Sequence, residues 1–219
     1  MNRKLLIVGA GIYGVVASEI AADMGCFDKI GFVDDELQTA PNGIPVVGKL
    51  SDIERLGSQY SYIIVAIGNP EVRLSLLRKI EEETTFSIAT LVSPKAYVSP
   101  SAQIMKGSFV EPMAVIHAGA VISVGCIISA GAVVNHASMC CDGVHVDCNA
   151  TVAGMTLVPA GTKVKSGEVY DRKTVDANDL FFNPEEWARK MNEIKENTHP
   201  HPHTPIAIDG QTYNFDEVM

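Results

Sequence analysis

The chain has 219 residues, 47% of them hydrophobic, and a formal net charge of −9. That length allows one or two domains with an ample core. The acidic balance argues against a nucleic-acid-binding surface or an anionic membrane partner, and no apolar run approaches the ~18 residues of a membrane span.

The N-terminus, Met1-Asn2-Arg3-Lys4, leads into a short strand and lacks the apolar stretch of a signal peptide. The five cysteines are odd in number, and Cys140 and Cys141 are adjacent. This suits reduced thiols better than a disulfide framework. Both features predict a cytoplasmic protein.

Residues 4–8 read as an apolar strand that runs into Gly9-Ala10-Gly11-Ile12-Tyr13-Gly14 and then a helix to about residue 25. A second strand, 29–33, ends at Asp34-Asp35. Residues 51–56 read as a short helix with Ser51 as its N-cap. A third strand over 62–67 ends at Gly68-Asn69-Pro70, a charged helix covers 71–83, and a fourth strand covers 86–92. Strands alternating with helices predict a parallel sheet with helices on its faces. That domain is expected over 1–92.

Gly9, Gly11 and Gly14 fit G-x-G-x-x-G between a strand and a helix, where backbone N–H groups can meet a phosphate. Asp34 follows ~20 residues on, where a carboxylate can accept from ribose hydroxyls. Four strands are too few for two mononucleotide halves, so one nucleotide with a diphosphate fits better than a dinucleotide.

From Val98 to Val164 an aliphatic residue, or Cys140, recurs every six residues without a break, and a mostly small residue precedes each by two, from Ala96 to Thr162. Neither a helix nor simple strand alternation has that period. A hexapeptide repeat does: each hexad forms one flat side of a triangular coil, and three hexads close 18 residues. Gly119, Gly125, Gly131, Gly143, Gly161 and Gly167 fall at its turns. The repeat predicts a left-handed parallel β-helix over 93–169, of about four coils. Cys126 and Cys140 occupy inward positions and read as small core residues.

The tail, 170–219, is different. Asn183-Pro184-Glu185-Glu186 is a good helix start, and Trp187, Met191 and Ile194 form one apolar face that could cap the β-helix. His199, His201 and His203 alternate with prolines, but no carboxylate or cysteine completes a metal set, so no metal is expected. Residues 206–210 resemble the first arm and turn of a hairpin.

Within the repeat, Asn135-His136 interrupts otherwise small or aliphatic residues, and Gly154 lies one 18-residue coil later. Gly154 should therefore stack on His136 at the strand spacing of ~4.8 Å. His145 falls on another face, so it could meet His136 only of another copy of the chain.

In these residues the chain resembles the hexapeptide-repeat sugar acetyltransferases of the sialic acid O-acetyltransferase and bacillosamine N-acetyltransferase family. The likeness runs through Leu6-Ile7-Val8-Gly9-Ala10-Gly11, Gly31-Phe32-Val33-Asp34-Asp35, Gly43-Ile44-Pro45-Val46-Val47-Gly48, Val65-Ala66-Ile67-Gly68, Ser93-Pro94-Lys95-Ala96 and Asn135-His136 to His145-Val146. It implies a homotrimer and a Rossmann-like domain that binds a nucleotide-sugar through Gly9, Gly11, Tyr13, Gly14, Asp34, Asp35 and Gly68. It implies acetyl-CoA as co-substrate between adjacent β-helices. His136 matches the family's general base, His145 a histidine near the acetyl group, and Gly154 a glycine whose N–H meets the thioester carbonyl. The family's carboxylate beside the catalytic histidine is absent, the neighbours being Asn135 and Ala137, and Tyr13 stands where the family has histidine.

The expected function is acetyl transfer to an amino or hydroxyl group of a nucleotide-linked sugar. The alternative is a non-catalytic trimer that keeps the sugar-nucleotide pocket and has lost acyl transfer. An NAD(P) oxidoreductase rests on the glycine turn alone.

Overall fold

Strand β1 (Lys4–Val8) is buried along nearly its whole length, as the central strand of a parallel sheet must be. The computed structural model describes residues 3–171 and the backbone of two short strands near the C-terminus. Around β1 lie β2 (Lys29–Val33), β3 (Val46–Gly48), β4 (Tyr62–Val65) and β5 (Ser87–Ile88), in the order β3-β2-β1-β4-β5, all parallel.

Alternation along β1 divides two cores. Leu5 and Ile7 face helix α1 (Ile12–Asp23), through Ala17, Ile20 and Ala21. Leu6 and Val8 face α2 (Ile53–Leu56) and α3 (Pro70–Glu83), through Leu56, Leu77 and Ile80. A 3₁₀ turn, Leu50–Asp52, leads into α2, and the Asp52 carboxylate, not Ser51, accepts the Lys49 N–H at 2.9 Å. Asn69 caps α3 by accepting the Val72 N–H at 3.0 Å, with Pro70 in its first turn.

The expected fourth strand over 86–92 is two strands. β5 joins the sheet beside β4, and the chain then turns so that β6 (Leu91–Val92) pairs with the β-helix instead. The helix has fourteen two-residue strands, from β6 to β19 (Val169–Tyr170), which is one more at each end than the repeat predicts. Three parallel stacks form its faces. One holds β6, β9 (Phe109–Val110), β12 (Ile127–Ile128), β15 (His145–Val146) and β18 (Lys163–Val164). A second holds β7 (Tyr97–Val98), β10 (Val115–Ile116), β13 (Val133–Val134), β16 (Thr151–Val152) and β19. The third holds β8 (Gln103–Ile104), β11 (Val121–Ile122), β14 (Met139–Cys140) and β17 (Leu157–Val158). Each residue pairs with the one 18 positions on, as Val115 with Val133. The second residue of each strand points inward, and from Val110 to Val158 these side chains are fully buried. Cys126 and Cys140 lie in that core, and burial pushes both thiols up, Cys126 to about 12.

The first stack is covered by the chain's own sheet domain. Phe109 and Ile127 point outward from it into the core beneath α1. The corner beside it carries glycine every 18 residues: Gly107, Gly125, Gly143 and Gly161, all with φ between +68° and +73° except Gly125 at +64°. A Cβ on Gly125 would stand 2.8 Å from Leu77, and one on Gly143 2.8 Å from Leu74. Glycine here meets both a left-handed backbone and the close seat of α3. Lys95 pairs with Asp23 at 2.9 Å, and Lys106 pairs with Glu81, tying α1 and α3 to the coil.

The expected helix around 183–194 and the His-Pro stretch lie outside the described residues. The expected hairpin arm does appear as a strand, β20 (Ile206–Ile208), antiparallel to β21 (Gln211–Tyr213).

Candidate functional site

The glycine turn follows β1 directly. Gly9 has φ +96°, and its N–H donates to Val33 O at 2.9 Å. A Cβ on Gly14 would fall 2.0 Å from Gly9 O, so the turn closes only with glycine there. A Cβ on Gly11 would meet nothing within 4 Å, which leaves that point of the backbone open to approach.

Asp34 was expected to face ribose. Its carboxylate accepts three N–H groups of the chain, Oδ2 that of Ala10 at 2.8 Å and Oδ1 those of Glu36 and Leu37 at 2.9 Å, which leaves acceptor capacity on Oδ2 for a hydroxyl. Partial burial raises its pKa, but these three donors outweigh that and the net shift is downward. Asp34 thus braces the glycine turn. Asp35 Oδ1 accepts the Leu50 N–H at 3.0 Å.

Tyr13 joins the turn to two other expected positions. Its ring lies over Gly68, where a Cβ would be 2.9 Å from Cε2. It also meets the His145 imidazole edge-on, with centroids 5.8 Å apart. His145 is only 4% exposed, and its Nε2 lies 3.1 Å from Ser129 Oγ. Burial, helped by the Lys163 charge and opposed by Asp147, lowers its pKa to about 4, so it is neutral at pH 7. Asp147 pairs with Lys163 at 2.9 Å; burial opposes its ionisation, yet that pair and the Cys148 N–H bring its pKa to about 2.

The other cluster sits on the turn between β13 and β14. A Cβ on Gly154 would lie 2.6 Å from His136 Cε1 and 2.9 Å from Nε2, so the imidazole rests against the glycine one coil on, as the 18-residue period predicts. Asn135 Oδ1 is 2.8 Å from the His136 backbone N and 2.8 Å from its Nδ1. A backbone N–H is always a donor, so the Asn135 atom facing it is the amide oxygen. Nδ1 facing the same oxygen must then carry a proton, and Nε2 keeps a free lone pair. Asn135 therefore does the orienting that a neighbouring carboxylate would do.

Two clusters result. Gly9, Gly11, Tyr13, Gly14, Asp34, Gly68 and His145 gather where the glycine turn meets the first stack. His136 and Gly154 lie at the corner between the other two stacks, opposite that face of the prism. One chain does not bring His136 to His145. Ser129, a small hexad residue in the sequence, and Arg73, a helix-interior arginine that reads as solvated, gave no signal of their roles.

The model of the PglD N-terminal domain matches residues 4–80. Comparison with curated proteins returns no match. Among solved structures, the acetyltransferase domain of PglB from Neisseria gonorrhoeae, in complex with acetyl coenzyme A, is 32% identical with a TM-score of 0.69, over 76% of this chain and 90% of that one. The same domain without that ligand is 33% identical with a TM-score of 0.70, over 78% and 92%. A variant of perosamine N-acetyltransferase from Caulobacter crescentus, with one histidine replaced by asparagine and in complex with CoA and GDP-perosamine, is 29% identical with a TM-score of 0.64, over 77% and 89%.

Proposed function

The chain belongs to the hexapeptide-repeat sugar acetyltransferase family of PglD and the PglB acetyltransferase domain, and from that membership we propose how its own residues acetylate a nucleotide-linked sugar with acetyl-CoA. The observation that carries the assignment is the His136 imidazole, exposed, resting on Gly154, with Nδ1 held by Asn135 and Nε2 free.

Acetyl-CoA supplies the thioester. An amine or hydroxyl of the sugar attacks its carbonyl carbon and gives up its proton to His136 Nε2. The C–S bond breaks, and the imidazolium returns the proton to the departing thiolate. The Gly154 N–H, beside the imidazole, is the donor assigned to the negative charge that develops on the carbonyl oxygen. The glycine turn, braced by Asp34 and bounded by Tyr13 and Gly68, takes the acceptor's diphosphate. His145, neutral between Ser129 and Tyr13, is assigned the place beside the acetyl group.

The two clusters lie on opposite sides of one prism, so a complete site needs His136 of one copy against the glycine turn of another. This supports a homotrimer, as does an apolar column on the stack of β7, β10, β13, β16 and β19. Tyr97 and Val169 are 58% and 64% exposed there, and Val115, Val133 and the small Thr151 lie between them. A threefold assembly would bury that column. Five free cysteines support a cytoplasmic location. No described helix is long and apolar enough to cross a membrane.

The test is release of CoA thiol dependent on an added amino-sugar nucleotide, with wild type compared with His136→Ala.

A further inference from the structure

Arg73 stands on the first turns of α3 and is 0% exposed. A cation near a helix N-terminus opposes the helix dipole, and burying it costs more unless its donors are met. Among the described residues its hydrogen-bond acceptors are all carbonyls and none is a carboxylate. Nε donates to Gly125 O at 2.7 Å and Nη2 to Gly143 O at 2.8 Å. Nη1 donates to Ile67 O at 2.6 Å and to Gly68 O at 2.9 Å.

These acceptors belong to two bodies. Gly125 and Gly143 are successive coils of the β-helix corner. Ile67 and Gly68 form the loop after β4, against the glycine turn. In a trans peptide the C=O of one residue and the N–H of the next point in opposite directions. Drawing in the carbonyls of Ile67 and Gly68 therefore turns the N–H groups of Gly68 and Asn69 away from the guanidinium. Gly68 in turn seats the Tyr13 ring, and Tyr13 meets His145 on the coil. The path Arg73–Gly68–Tyr13–His145 leaves the β-helix at its glycine corner and returns to it at β15.

We infer that Arg73 is a positioning residue for the nucleotide-sugar acceptor: it fixes the Ile67–Gly68 loop, and through it Tyr13 and the glycine turn, at a set distance from the β-helix. Its charge, unmatched by any contacting carboxylate, also favours an anionic diphosphate at that turn. The planar fork is required, because an ammonium is a point charge and cannot span four carbonyls on two bodies. The inference rests on the acetyltransferase reading of the acceptor site.

Arg73→Lys and Arg73→Gln in the full chain test it. Each is assayed by steady-state kinetics with GDP-perosamine and with UDP-linked amino sugars, by calorimetric titration of the same nucleotides, and by thermal melting. The expected result for Arg73→Lys is a folded protein whose acceptor KM and acceptor Kd rise tenfold or more while the KM for acetyl-CoA stays within twofold. Arg73→Gln should raise the acceptor values further. Equal acceptor KM in wild type and folded Arg73→Lys overturns the inference. So does a parallel loss across both substrates that tracks a lower melting temperature, or failure of both variants to fold, since each assigns Arg73 to stability alone. If wild type binds nucleotide-sugars but transfers no acetyl group, the catalytic reading fails while the calorimetric comparison still decides the role of Arg73.

Discussion

Asn135 Oδ1 accepts both the backbone N–H and the Nδ1–H of His136, each at 2.8 Å. A neutral amide therefore fixes the imidazole with Nε2 beside Gly154. Without a carboxylate it orients the ring but adds less to the stability of the imidazolium. Asn135→Leu, similar in volume, should lower kcat about tenfold and leave both KM values near wild type, because the base is misdirected only in the chemical step. Steady-state kinetics check this; an unchanged kcat would mean that the ring needs no such support.

His136→Ala should lower kcat by ~10²–10⁴-fold, the usual range for a general base. The acceptor KM should move little. Turnover equal to wild type would transfer the role to His145 or to solvent.

Gly154→Ala should separate activity from stability. The new methyl would meet the far end of an exposed imidazole, which can swing away, and not the backbone. The melting temperature should hold while kcat falls by at least tenfold, since the ring leaves its place. A fully active Gly154→Ala protein would show that the imidazole does not work from this position.

His145 gives the protein a pH signature. Its pKa falls from 6.5 to about 4 on folding. Above pH 6.5 neither state binds the proton, so the stability is fully present. As pH falls from 6.5 to 4 the unfolded chain takes up the proton and the folded chain does not, and stability is lost. The loss is about 3 kcal/mol, at about 1.4 kcal/mol per pKa unit. Asp147 acts lower, between its ordinary 3.8 and about 2. Glu111, whose pKa is raised mainly by burial, acts in the opposite sense above 4.5. Melting curves of wild type and His145→Gln isolate the histidine: the variant should lose less stability between pH 6.5 and 4. Parallel curves would contradict the buried neutral imidazole.

Gly125→Ala and Gly167→Ala share a left-handed φ, +64° and +71°. Only Gly125 also lies under α3, whereas Gly167 has nothing within 4 Å of a Cβ. Left-handed backbone costs an alanine ~1–2 kcal/mol. Gly125→Ala should lower the melting temperature further than Gly167→Ala, by the added cost of shifting Leu74 and Leu77. Equal losses in scanning calorimetry would mean that α3 yields freely.

The β-helix was legible because one requirement, an inward side chain every six residues, repeats without interruption from Val98 to Val164. Its ends were harder. Phe86 to Val92 reads as one apolar strand, and only the turn after Ile88 hands Leu91 to the coil. The stacking of Gly154 on His136 follows from the 18-residue period alone. The work of Asn135, Asp34 and Arg73 does not follow from any local pattern. Asp34 and Arg73 depend on backbone groups brought near by the fold, the Ala10 N–H for Asp34 and carbonyls 52 and 70 residues away for Arg73, whereas Asn135 acts on the adjacent residue through a side-chain rotamer that the spacing does not specify. A helix-interior arginine reads as solvent-facing until the coil behind it is known.

The most direct measurement is acceptor-dependent thiol release from acetyl-CoA over a panel of amino-sugar nucleotides, with mass spectrometry of the sugar product. One CoA thiol should be released for each acetyl group gained by the acceptor, with near-complete loss of both in His136→Ala. Tight binding of a nucleotide-sugar with no acetyl gained by any acceptor would contradict that chemistry, and would describe instead a protein that holds the sugar-nucleotide without acyl transfer.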